Sequence, residues 1–129
     1  MINYMAINKG EKALDSLKEA LDALSSASNW GILDILGGGN FISFFKHTKI
    51  DRARTLLYRS KIELTEFMDE LAYTPGIEIN ISTFLTFLDI FSNSLIADIL
   101  VQAKISEAKK QVSNAIRETE NALKKLRLV

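Results

Sequence analysis

The sequence predicts an all-α protein, a single domain over residues 1–129. The expected architecture is an antiparallel helical bundle with a long C-terminal helix and coiled-coil-like seams. Three observations carry that prediction. Apolar residues recur at steps of three and four along most of the chain, the repeat of one helix face. Proline occurs once, at Pro75, so long helices are unobstructed on either side of it. Only "GIEINIS", residues 76–82, alternates with period two, and it is too short to form a sheet alone.

The first helix is expected over residues 7–24, with Ile7, Leu14, Leu17, Leu21 and Leu24 on one face and Glu11, Asp15, Lys18, Glu19 and Asp22 around the rest. Ser25, Ser26, Ser28 and Asn29 then weaken it, because short polar side chains compete for backbone groups. A second helix is expected from Thr48, which can cap it, with Asp51 three residues on reaching back as in a capping box. Its stripe is Ile50, Ala53, Leu57, Leu64, Phe67 and Leu71, with Ser60 in one slot. "YTPG" at residues 73–76 stops it, since Pro75 disfavours helix in Thr74.

Residues 77–81 are expected to be extended, with Ser82 capping the next helix and Ile81 as its hydrophobic staple. From Thr83 to Arg127 nothing breaks the helix, which at about 1.5 Å per residue spans roughly 68 Å. Its first half is expected on helix two and its second half on helix one. The second half carries the seam Ile105, Ala108, Val112, Ala115, Thr119, Ala122 and Leu126.

Apolar residues make up 47% of the chain and charged residues 25%, which excludes global disorder. The 16 basic and 16 acidic residues balance, so no overall attraction to nucleic acid is expected. The distribution is uneven: residues 51–101 hold four basic and eight acidic residues, residues 102–129 seven basic and three acidic. The basic C-terminal stretch suits the negative end of a helix dipole. Cysteine is absent, which excludes disulfides, thiolate metal sites and a cysteine nucleophile and fits a reducing, cytoplasmic setting. The opening residues lack the pattern of a signal peptide.

Residues 79–101, "INISTFLTFLDIFSNSLIADILV", approach the length of a membrane span. Asp89 and Asp98 argue against one, each costing about 2.5–3.5 kcal/mol at a bilayer centre. Phe84, Phe87, Leu88, Phe91, Leu95 and Ile99 share one face with Asp98. Leu85, Ile96 and Leu100 share another around Asp89. A helix apolar on two faces must be buried on two, so a homodimer is expected. Asp89 and Asp98 are accordingly expected to be buried and paired, with Arg52, Arg54 or Arg59 as partners; the functional alternative is a metal or proton site.

The stretch "WGILDILGGGNFISFFKHTKID", residues 30–51, interrupts the helical pattern. Gly37, Gly38 and Gly39 allow positive φ and close backbone approach, and their amides can cradle an anion. No GKS or GKT follows, so this is not a Walker loop. His47, the single histidine, stands beside Lys46, with Asp51 in the expected first turn of helix two and Asp34 across the glycines. A carboxylate beside His47 would orient its ring and raise its pKa. The set has no evident nucleophile and no metal-ligand spacing such as HExxH, although one histidine with Asp34, Asp51 and Asp89 or Asp98 is chemically permissible. Two readings stay open: a hydrogen-bonded knot pinning the connection to the bundle, or a ligand or metal site. The structural reading is the one the residues favour.

Trp30-Gly31, Asp34, the glycine triplet, Lys46-His47, Asp51 and Ala53, then Ile79 and Ile81 before "FLTFLDIF", and Asp98, resemble a family of uncharacterised helical proteins from Gram-positive bacteria. The resemblance covers residues from about 10 to 126 and implies a helical fold and a locus of interest, not a reaction. The function expected is therefore a helical interaction or assembly module that dimerises or binds a helical partner, with no cofactor, no nucleic acid and little call for a membrane. A small-ligand site at Gly37, Gly38 and Gly39 with Asp34, Lys46, His47 and Asp51 is the alternative.

Overall fold

A computed structural model describes residues 2–37, 40–94 and 102–128, with side chains over residues 2–26, 51–90 and 105–128. Among the described residues it is an all-α bundle of α1 (Tyr4–Gly37), α2 (Asn40–Leu71), α3 (Ser82–Ser94) and α4 (Gln102–Leu128). α1 is the central element. Among the described residues it packs along α2 and along α4, whose backbones do not contact each other, while α3 touches α2 and α4 but not α1. The direction of each pairing is set by its polar contacts. Lys9 pairs with Glu66 at 3.2 Å and Ser16 Oγ donates to Glu63 at 2.8 Å, so α2 runs antiparallel to α1. Glu11 pairs with Arg127 at 2.6 Å and Lys18 with Glu120 at 4.0 Å, so α4 does the same on the other flank.

α1 and α2 are longer than their local signals imply. α1 has 34 residues and runs through the serine-rich stretch to Gly37; α2 has 32 and begins at Asn40, eight positions before Thr48. Thr48 therefore lies inside a helix and is not its cap. Helix propensities differ by tenths of a kcal/mol per residue and a cap contributes about 1 kcal/mol, so neither signal overrides two helices lying side by side. The expected glycine-rich loop is reduced: Asp34, Lys46 and His47 belong to helices.

The buried line of α1 also differs from the leucine stripe. Ala6, Gly10, Ala13, Leu17, Ala20 and Leu24 are buried, whereas Ile7, Leu14 and Leu21 are half-buried at the edge of the core. A helix held between two others needs small residues where both close in, because interaxial distance follows side-chain size. Gly10 is the extreme case. A methyl group there would fall 2.7 Å from Leu123 Cδ2 and 2.8 Å from Phe67 Cε1, inside contact distance of both neighbours. Phe67 and Leu123 thus fill the space that glycine leaves, one from each flank.

Over their described side chains the stripes of the other helices match expectation; the side chain of Ile50, expected in the α2 stripe, lies outside the described residues. Ala53, Leu57, Ser60, Leu64, Phe67 and Leu71 are buried on α2. So is the seam Ile105, Ala108, Val112, Ala115, Thr119, Ala122 and Leu126 on α4, which meets α1. The two polar residues among them cause no penalty, because each returns its hydroxyl to its own helix: Ser60 Oγ donates to Leu57 O at 2.8 Å, and Thr119 Oγ1 to Ala115 O at 2.7 Å. Lys125 and Arg127 occupy the last turn of α4, where positive charge suits the helix dipole.

Asn3 begins α1. Its Oδ1 accepts from Ala6 N at 3.1 Å and its carbonyl from Ile7 N at 3.1 Å, the bonds of an N-cap. The same side chain donates to Thr74 Oγ1 at 3.0 Å, tying the start of α1 to the turn after α2. That turn ends α2 as "YTPG" predicts: Tyr73 N and Thr74 N donate back to Glu70 O and Leu71 O at 3.1 and 2.9 Å, and Gly76 takes φ +94°.

Residues 77–81 are extended without forming a strand. Ile77 and Ile81 are buried and Ile79 is half-buried. Ile77 and Ile79 lie with Met68 and Leu71 of α2, while Ile81 and Phe84 lie beside Asn114 and Ala115 of α4. The segment thus crosses from the end of α2 to the middle of α4, over the gap between these two helices. Ile81 holds the cap position of α3, accepting from Leu85 N at 2.9 Å; Ser82, expected to cap, instead donates to Asn80 Oδ1 at 3.4 Å.

The expected single helix over residues 83–127 is corrected. α3 and α4 contact each other side by side, which collinear halves of one helix cannot do. Continuous helical periodicity does not exclude a reversal, because a helix shortens wherever folding back buries more apolar surface.

Candidate functional site

Of the residues the sequence singles out, few have described side chains. Asp34 stands in α1, three residues before its end at Gly37, and Lys46 and His47 stand in the first two turns of α2. Their side chains, and Gly38, Gly39 and Asp98, lie outside the described residues. Asp51 is described. It is exposed on α2, within 3.8 Å of Arg54 one turn on, and its carbonyl accepts from Thr55 Oγ1 at 3.0 Å. That is an ordinary surface ion pair, worth at most about 1 kcal/mol.

Asp89, expected to be buried, is exposed. Its Oδ1 meets Lys61 Nζ at 2.6 Å, with 64% of the aspartate side chain accessible. The partner is a lysine of α2 rather than Arg52, Arg54 or Arg59. α3 turns Phe84 and Leu88 into the core, leaves Leu85 and Phe87 half-buried, and presents Thr86, Asp89 and Ile90 outward. Over its described side chains α3 is flanked by α2 and α4 of its own chain, while the side chains of Phe91, Leu95, Ile96, Ile99 and Leu100 lie outside the described residues.

Among the described residues no group of three or more His, Asp or Glu side chains is placed to hold a metal ion, and no buried side-chain polar atom lacks a partner. No described helix is long and apolar enough to cross a membrane. Open grooves lie among the described residues: a small one of about 220 Å³ lined by Arg117 and Glu118 of α4, and two larger ones. One, of about 400 Å³, runs past Met68, Pro75, Ile77 and Ile79 and holds a single ionisable residue, Glu78. The other, of about 380 Å³, lies between Thr83, Thr86 and Phe87 of α3 and Gln111 of α4 and holds none. Neither of these two grooves pairs an acid with a base.

The outer faces of the bundle are more distinctive. Tyr58 and Ile62, one turn apart on α2, are 62% and 46% exposed. At about 100° per residue they share a face with Asp51, Thr55, Thr65 and Asp69, all exposed and opposite the buried stripe. The signal was present in the sequence: both residues fall off the Ala53, Leu57, Leu64 face. At the end of the molecule where α1 begins, Tyr4, Met5, Tyr73 and Leu128 are also exposed.

Comparison with protein families, curated proteins and solved structures finds no match.

Proposed function

We propose that this protein is a helical assembly module that associates with further copies of itself or with a helical partner. The observation that carries the reading is the outer face of α2, where Tyr58 and Ile62 remain exposed although the core has ample apolar residues to fill it. Tyr58 and Ile62 have the i, i+4 spacing with which a helix anchors on a partner, and aromatic anchors contribute disproportionately to interfaces. The rest of the molecule supports a scaffold. Among the described residues the buried polar side chains are satisfied, and surface ion pairs such as Lys9–Glu66 and Glu11–Arg127 tie helix to helix.

Sedimentation velocity over a concentration series tests the reading. Association that strengthens with concentration, and that Tyr58→Ala with Ile62→Ala weakens without loss of helicity, is the expected result. A monomer throughout, with no helical partner recovered, would overturn it.

A further inference from the structure

The partner face for α2 is present on the same molecule. On α4 the residues opposite the buried seam are Lys110, Ser113, Arg117, Asn121, Lys124 and Leu128, all exposed. At about 100° per residue they cover an arc of about 80°, and no aspartate or glutamate falls among them. The outer face of α2 covers an arc of the same width, with Asp51 and Asp69 toward its two ends along the helix and Tyr58 and Ile62 between them; Arg54, which pairs with Asp51, stands just beside it. Each face lies opposite the buried stripe of its own helix, so the two cannot meet within one chain. We infer that the outer face of α2 in one copy docks on the outer face of α4 in the next.

The chemistry of the two faces is complementary. With Arg117 set against Tyr58, Asp51 comes opposite Lys110 or Lys124, each seven residues from Arg117, whereas Asp69, eleven residues from Tyr58, falls about 6 Å past the other lysine, within the reach of its flexible side chain. Arg117, exposed and steadied by its bond to Asn114 Oδ1 at 3.1 Å, suits the ring of Tyr58, since a guanidinium over an aromatic face is attractive. Leu128 at the end of α4 adds an apolar contact. Charge pairs of this kind set the register and reject a face of like sign more than they add affinity. The contact is heterologous, because two different faces meet; such contacts close into rings or continue as open chains. One helix against one helix falls at the small end of interface sizes, below about 1,200 Å². The association is accordingly weak and sensitive to salt.

This inference rests on the self-association just proposed, and charge exchange separates the two. One variant carries Asp51→Lys and Asp69→Lys, making both faces basic; a second carries Lys110→Glu and Lys124→Glu, making both acidic. All four positions are exposed, so circular dichroism should match the unaltered chain. Sedimentation velocity is run on each variant alone and on their equimolar mixture. The expected result is association of the unaltered chain, at least about tenfold weaker self-association of each variant, and restored association in the mixture. Raising salt from about 0.1 M to about 1 M, where the screening length falls from about 10 to about 3 Å, should weaken the unaltered chain as well. Self-association that both variants retain overturns this interface and leaves the assembly reading standing. Loss in both variants without restoration on mixing also overturns it, pointing each face at something other than the opposite one. An unaltered chain that stays monomeric at every concentration removes this interface and the self-association on which it rests.

Discussion

Gly10 and Leu123 stand so close that no side chain fits between them: a methyl group on Gly10 would lie 2.7 Å from Leu123 Cδ2. The ring of Phe67 closes the same space from the opposite helix, with Cε1 at 2.8 Å. Phe67 is fully buried and Leu123 is 1% exposed, so neither can swing into solvent to make room. This one position fixes how near both flanking helices come to α1.

Gly10→Ala should therefore destabilise the fold. Alanine gains about 1 kcal/mol of helix propensity over glycine, but overpacking a filled core costs about 1–3 kcal/mol and prevails. Urea unfolding should show the loss, larger for Gly10→Val. In a double-mutant cycle with Leu123→Ala, the cost of Gly10→Ala should shrink, because the truncated neighbour leaves room for the methyl group. Stabilisation by Gly10→Ala alone would contradict the packing described.

Asn3 joins two jobs, and conservative variants separate them. Asn3→Ala removes the cap of α1 and the bond to Thr74, and should cost about 1–2 kcal/mol. Asn3→Asp keeps the acceptor for Ala6 N but loses the donor, so its cost should be smaller. Amide exchange in the first turn of α1 reads the cap directly: it should speed up in Asn3→Ala and stay slow in Asn3→Asp.

Gly76 is needed for its backbone rather than for space. Its φ is +94°, and nothing lies within 4 Å of where a Cβ would stand. Gly76→Ala should cost about 1–2 kcal/mol through backbone strain alone. Gly76→Pro, which also fixes a negative φ, should cost more. Equal stability of Gly76→Ala and the unaltered chain in thermal melts would show that the turn relaxes freely.

Asp89→Asn should have little effect. The Lys61 pair is exposed, and such pairs contribute about 0–1 kcal/mol. A loss of several kcal/mol on chemical denaturation would mean that Asp89 is enclosed, as the apolar run around it first suggests.

The three-four repeats in the sequence specify the all-α class, the buried stripe of α2 and the seam of α4, because burial on one face of a helix leaves a periodic trace in the residues themselves. "YTPG" likewise locates the end of α2, since proline and glycine act on the backbone wherever they stand. Other features escaped local reading in whole or in part. Ser25, Ser26 and Thr48 look like helix boundaries yet lie inside helices, since antiparallel packing outweighs signals of about 1 kcal/mol. Asp89 looks buried because its neighbours are apolar, but only the placement of α2 and α4 decides which side of α3 faces water. The candidate cluster of Asp34, Lys46, His47 and Asp51 is legible as residue types, and of these the structure places the side chain of Asp51 alone, at the surface. The reversal between α3 and α4 leaves no mark in the periodicity, because an unbroken helical pattern is equally compatible with one long helix or two packed together. Sequence thus determined which surfaces are apolar, through side-chain spacing; tertiary structure decided which of them meet, because that depends on the distances at which whole helices can approach.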